Sequence, residues 1–463
     1  MRAASSFDKP AVIQEVLVLK FQQFFLVPCR CFAIFSAMLL CLGAAFGAGP
    51  NESGPREYVI HSFPNSASAG TDPSGNLVAD SAGNLYGTTF RGGAADMGTV
   101  FELSRPVPPG TKWIESVLYS FTGGSDGSQP DAGVVFDGAG NLYGTTSVGG
   151  ASGFGVVFEL APPAAPGDPW TESVLHSFHG GTRDGASPFA GVVFDRSGSL
   201  YGATSQGGIT NDSVCSSGCG TVFELAPPAT PGAAWKETVI HYFNSRQGGF
   251  PRGTPIFDEM GRLYGTTPTG GLHGAGVIFR LAPPSSSSGT WFYKVLYTFA
   301  GRYTTPDSAE CYSGLTLHNG VLYGTASAGG KRNYGTVFQL MPPSMVGGAW
   351  TENILINFDG THGGFPSANV IFDKAGNLYS TTYTGGGTGT CPFEGCGTVF
   401  RLTPPATEGA EWTEMVLHRF PDADEKDGSQ PSGGVVFGKN DVLFGVTQSG
   451  GASSMGAVFG LIP

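Results

Sequence analysis

The chain has 463 residues, a formal charge of −12 and only 13% charged residues. The first 48 residues hold four basic and two acidic groups, so the remainder is more acidic still; it repels phosphate backbones and anionic lipid, which excludes nucleic acid and membrane surfaces as partners. Glycine at 74 residues would suit disorder, but 40% hydrophobic and 12% aromatic content predicts a packed core of short strands and tight turns.

Residues 1–48 read as a signal peptide or signal anchor. The run "CFAIFSAMLLCLGAAFGAGP" is apolar, follows Lys20 and Arg30, and ends in small residues, with cleavage expected between Ala45 and Ala48. No later stretch has the roughly 18 apolar residues of a membrane helix, so no span is expected in the mature chain. A short linker, 49–56, leads to "EYVIHSF" at 57–63.

From there four phrases recur seven times each. One ends in "VVFD" (a). A second is "LYGTT" (b), with Tyr86, Tyr143, Tyr201, Tyr264, Tyr323, Tyr379 and finally Phe444 in its aromatic slot. A third is "GTVFEL" (c). The fourth is "W-x-E-x-V-L-x-S-F" (d), ending at Phe63, Phe121, Phe178, Phe243, Phe299, Phe358 and Phe420. Each is rich in Val, Phe, Leu, Tyr or Thr and bounded by Gly, Pro, Asn or Asp, which predicts four strands per repeat. Four short strands cannot bury two faces alone. Seven such sheets packed in a ring can, and the prediction is an all-β, seven-bladed β-propeller over 57–463. A d-type phrase precedes the first a-type phrase, and the chain stops just after the seventh c strand. Residues 57–63 are therefore expected to complete the last blade beside 457–461, which leaves no open edge.

The repeating unit "LYGTT…GG…GTVFEL…PP…W-x-E" resembles that of the choice-of-anchor GloVer-containing proteins of bacteria, across roughly 57–463. The resemblance implies an exported tandem-repeat protein of undefined biochemical role, secreted or at the cell surface. No sorting tail is expected after the last strand, which puts attachment to the cell in doubt.

Propeller topology places the d–a and b–c loops on one rim, and that rim varies most. Its d–a loops carry Asp126, Asp184 and Asp427, each followed by Gly; the last also offers Asp422 and Asp424. These five and His273, in "GLHGA", are the binding candidates. Calcium at Asp422, Asp424 and Asp427 is the weak metal alternative, against Asx turns that need no ion; no other cofactor is expected. Cys215 with Cys219, and Cys391 with Cys396, sit in two b–c loops three blades apart. Each pair is close enough in sequence for a local disulfide, which leaves Cys311 as the free thiol of the mature chain.

Four histidines, His61, His176, His241 and His418, share one slot in strand d, which marks an architectural position rather than a catalytic one. No His-Asp-Ser order, GxSxG elbow or HExxH helix is present. The favoured function is a non-enzymatic, monomeric binding scaffold for a glycan, peptide or surface protein. A secreted polysaccharide hydrolase or lyase with rim carboxylates, and a structural surface protein, are the alternatives.

Overall fold

The computed structural model describes residues 54–463 apart from positions 67, 166, 211, 231, 287–288, 302–306, 346, 388–390, 392–394, 408 and 422–425. The expected signal segment and the candidates Asp422 and Asp424 lie outside the described residues. Seven antiparallel sheets follow one another along the chain, each with the order a–b–c–d. In blade one these strands are Gly70–Ala79, Leu85–Gly92, Thr99–Ser104 and Ile114–Ser120. In blade seven, strands a to c are Val436–Phe437, Leu443–Gly450 and Ala457–Ile462, and strand d is the N-terminal Arg56–Ser62. That strand pairs Arg56 with Ile462, Tyr58 with Gly460 and Ser62 with Ala457. The chain thus closes its own ring, with the closing strand one residue earlier than 57–63. Among the described residues no helix is long and apolar enough to cross a membrane.

The recurring phrase "LYGTT" is explained by the contacts between blades. The tyrosine of one blade packs edge-on against the strand-a phenylalanine of the next: Tyr86 on Phe136 at 5.0 Å, Tyr143 on Phe194 at 5.1 Å, Tyr201 on Phe257 at 5.0 Å. The tryptophan before the next strand d closes over the same ring, as Trp235 does on Tyr143. The hydroxyl then donates to the aspartate of its own a–b turn, as from Tyr143 to Asp137 at 3.2 Å. The glycine admits the strand-c phenylalanine: a Cβ on Gly144 would lie 2.6 Å from Phe158 Cζ. The first threonine reaches across, with Thr145 Oγ1 donating to the Ala190 carbonyl of blade three at 2.9 Å.

Strand d lacks clean alternation for a local reason. Each of the seven carries a bulge at the same place, as at Leu118 between Val117 and Tyr119. The extra residue, Leu118 here and Ile60 in the closing strand, packs onto the core. Its terminal phenylalanine meets the strand-c phenylalanine of the next blade edge-on. Seven such pairs run round the ring, from Phe63–Phe101 at 5.2 Å to Phe420–Phe459 at 5.2 Å. Every one of the larger fully buried side chains is a phenylalanine of this kind.

Strand a is shorter than its phrase, with two residues in the ladder of blades two, three, four, six and seven. The preceding residues lift out of the sheet to line the axis, where neighbouring blades nearly touch. A Cβ on Gly133 would fall 2.1 Å from the Asn76 carbonyl oxygen.

Candidate functional site

Each d–a loop lies against the b–c loop of its own blade, as the pairings Gly185 with Gly207, Ser308 with Gly329 and Gly428 with Gly450 show. These loops form one rim, and the chain drops from it toward the axis by the same route in every blade. The residue entering is not glycine yet has a positive φ: Asp72, Gln129, Ser187, Phe250, Glu310, Phe365 and Gln430, all between 51° and 58°. Such a backbone is costly, more so before the proline that follows six of the seven. It is held by its N–H, which donates to the b–c loop of the preceding blade, for example Phe250 to the Cys219 carbonyl at 2.9 Å and Gln430 to the Cys396 carbonyl at 2.7 Å.

Two positions further on, each blade presents one residue to the axis. In blade order from one to seven these are Ser74, Asp131, Phe189, Arg252, Tyr312, Ser367 and Ser432. They surround an axial cavity of about 660 Å³, completed by Phe90, Gln448 and the amides Asn76 and Asn369. The mouth has two unlike sides. Blades two to five give an acid, two aromatics and a guanidinium; blades six, seven and one give three serines. Arg252 lies 4.4 Å above the Phe189 ring and 5.7 Å from that of Tyr312, so aromatics from both neighbouring blades flank its charge. Burial raises the Asp131 carboxyl above the usual range, and the nearby Arg252 partly offsets this. On the far side Ser432 Oγ donates to the Pro73 carbonyl at 2.7 Å and Ser74 Oγ to that of Pro130 at 3.0 Å. Tyr383 donates to Gln448 Oε1 at 3.0 Å.

The family model described as the Gloeobacter/Verrucomicrobia repeat matches residues 43–215, 168–391 and 286–463. The chain belongs to this repeat family. No curated protein matches it. Solved structures match at low similarity. An oxidoreductase described as a putative glucose dehydrogenase from Thermus thermophilus is 13% identical, with 88% of this chain and 100% of that one covered and a TM-score of 0.42. A luciferin-regenerating enzyme is 14% identical over 89% of this chain and 96% of its own, at 0.37. A Trypanosoma rangeli sialidase is 9% identical over 88% of this chain and 59% of its own, at 0.39. No activity is carried over from these likenesses.

In this Gloeobacter/Verrucomicrobia repeat protein the described aspartate candidates, Asp126, Asp184 and Asp427, do not line the mouth; they sit in the rim loops beside strand d. Asp126 is buried and saturated: it accepts from Thr122 N at 2.7 Å, Thr122 Oγ1 at 2.6 Å and Tyr119 Oη at 3.1 Å. Asp427 accepts from Gly428 N at 2.8 Å and lies 3.2 Å from His418 Nε2. Asp184 accepts from Gly185 N and His179 N at 2.6 and 2.8 Å. His273 is exposed at the tip of the blade-four b–c loop. Cys215–Cys219 and Cys391–Cys396 are disulfides, and Cys311 is a buried free thiol.

The junctions between blades hold a feature that the sequence reading passed over. In most blades the glutamate of "W-x-E" faces the strand-d histidine or tyrosine, and often the loop aspartate, of the blade before; for Glu414 that slot is Ile356. His61 Nε2 lies 3.1 Å from Glu115, and Tyr297 Oη bonds both Asp307 and Glu352, at 3.3 Å each. Burial pushes Glu57, Glu172, Glu237 and Glu414 up to about 7. Glu352 is raised by burial and by Asp307 beside it. Oε1 of each of these five is buried without a hydrogen-bond partner, which suits a protonated acid. In blade four Tyr293 replaces the glutamate and stacks on His241 at 3.9 Å. Burial lowers His241 to about 4.

Proposed function

We propose that this chain is an exported, non-enzymatic binding propeller that takes a short glycan segment into the mouth of its axial cavity. One observation carries this reading. The residue two after the strained loop residue varies round the ring, four different side chains in blades two to five against serine in the other three, and the seven together line one hollow. Its size suits a small ligand. Its chemistry, aromatic faces beside a guanidinium, a carboxylate, amides and hydroxyls, suits a polyhydroxylated one. Asp131 is the sole carboxylate among the described residues lining it, whereas glycosidic hydrolysis by the common route uses two carboxylates across the bond. Export is supported by the apolar N-terminal run and by the two disulfides, which persist in oxidising compartments.

The test is a glycan array read alongside a panel of polysaccharide substrates. Saturable binding of an oligosaccharide is expected, weakened about tenfold or more by Arg252→Ala and by Phe189→Ala, with no polymer cleaved. Binding indifferent to both substitutions, or cleavage that disappears in Asp131→Asn, would overturn the reading.

A further inference from the structure

A second site lies on the outer rim between blades two and three, independent of the mouth. His176 holds the repeated strand-d slot and Asp184 the repeated loop slot, but His179 breaks the pattern. The corresponding residues after the strand-d phenylalanine are Pro64, Thr122, Asn244, Ala300, Asp359 and Pro421. His176 Nε2 and His179 Nδ1 lie 3.4 and 3.3 Å from the same oxygen, Asp184 Oδ2. The three donor atoms are all within 4.8 Å of one another.

These separations are long for histidine–carboxylate hydrogen bonds, and His176 Nε2 is a buried nitrogen with no hydrogen-bond partner. The two distances to Asp184 match two edges of a tetrahedron around zinc, which are roughly 3.3–3.4 Å for arms of about 2.0–2.1 Å. Glu237 of blade three faces both His176 and Asp184, and its Oε1 also lacks a partner. It adds a carboxyl near the cluster without being one of its three mutually close donors. Backbone N–H groups orient the aspartate: Gly185 N donates to Oδ1 and His179 N to Oδ2, as outer groups do around ligating carboxylates.

We propose that His176, His179 and Asp184 form a binding site for one divalent transition-metal ion of the zinc type, with water completing the coordination. The ion would clamp the loop leading to Phe189 onto strand d of blade two. The sister cluster Glu57, His418 and Asp427 also has three donors within 4.8 Å, but it is built wholly from slots that recur round the ring. It serves as the internal control.

The experiment is calorimetric titration of the metal-free protein with zinc chloride, with cobalt(II) as a spectroscopic probe. One equivalent should bind with Kd below about 10 µM, and cobalt should show the visible absorption of a four-coordinate ion. His179→Ala, on an exposed loop, should weaken binding about tenfold or more. His176→Tyr, which installs the residue native to Tyr119 and Tyr297, should remove the cobalt spectrum and leave metal-free melting unchanged. His418→Tyr should alter neither. No binding at 10 times that concentration, binding unchanged in His179→Ala, or loss confined to His418→Tyr would overturn the proposal.

Discussion

At the scale of single residues, the tyrosine–glycine phrase is a device for joining blades. Its tyrosine is half of an aromatic contact whose other half arrives a full repeat later, and its glycine is the gap into which a phenylalanine fits. Gly144→Val would drive a branched side chain into the space of Phe158, whose Cζ lies 2.6 Å from where the new Cβ would sit. It should destabilise by about 1–3 kcal/mol in denaturant unfolding. Gly144→Ser should cost far less, because blade six already carries Ser380 there and its hydroxyl bonds the Asn369 carbonyl at 3.0 Å. A large loss for the serine variant would show that the glycine is held by something other than this contact. The phrase was legible in sequence because it recurs in every repeat, always followed by the strand-c phrase. The purpose of its tyrosine was not, since that depends on Phe194 and Trp235 in the following blade.

At the scale of elements, strand d carries the pH response. Glu57, Glu172, Glu237 and Glu414, with folded values of about 7 against 4.5 when free, favour the fold in their protonated form. Their stabilisation is complete below about 4.5 and lost as pH rises through 7. Asp137, Asp258 and Asp373 oppose this. Burial would raise them, but hydrogen bonds from their turns hold them below 3.8, so their contribution is lost as pH falls past that value. The thermal midpoint should therefore be higher near pH 5.5 than at pH 8. Glu172→Gln, neutral at all pH, should flatten part of the slope. A midpoint that rises from pH 5.5 to 8 would contradict the assignment. The glutamate was visible in sequence only as a motif letter. Its raised pKa comes from burial at a blade junction and then from the charge of Asp126, a neighbour distant in sequence that periodicity cannot reveal. The bulge at Leu118 was hidden for a related reason: an extra residue in the ladder looks like imperfect alternation until its partner strand is known.

At the scale of the whole molecule, the ring brings residues of different blades together. Asp131, Phe189, Arg252 and Tyr312 come from four blades and line one cavity at the axis. Each follows the same loop in its own repeat, so a slot-by-slot comparison of the repeats would have found them. The sequence reading looked instead to the longer, more irregular loops. The ring itself was foreseen because a lone d-type phrase stood before the first complete repeat. Its closure should be tight: Phe63 is fully buried, and Phe63→Ala should cost about 3–5 kcal/mol, as much as any other core phenylalanine.

The direct test of that closure, on which the axial mouth depends, is a cross-link between the chain's two ends. Tyr58 and Gly460 face each other across the closing ladder. Cysteines at both positions should form a disulfide in the folded protein under mild oxidation, seen as a faster-migrating species on a non-reducing denaturing gel and absent when the protein is oxidised unfolded. A folded protein in which the two thiols stay free to a small alkylating reagent would contradict the closed seven-bladed ring.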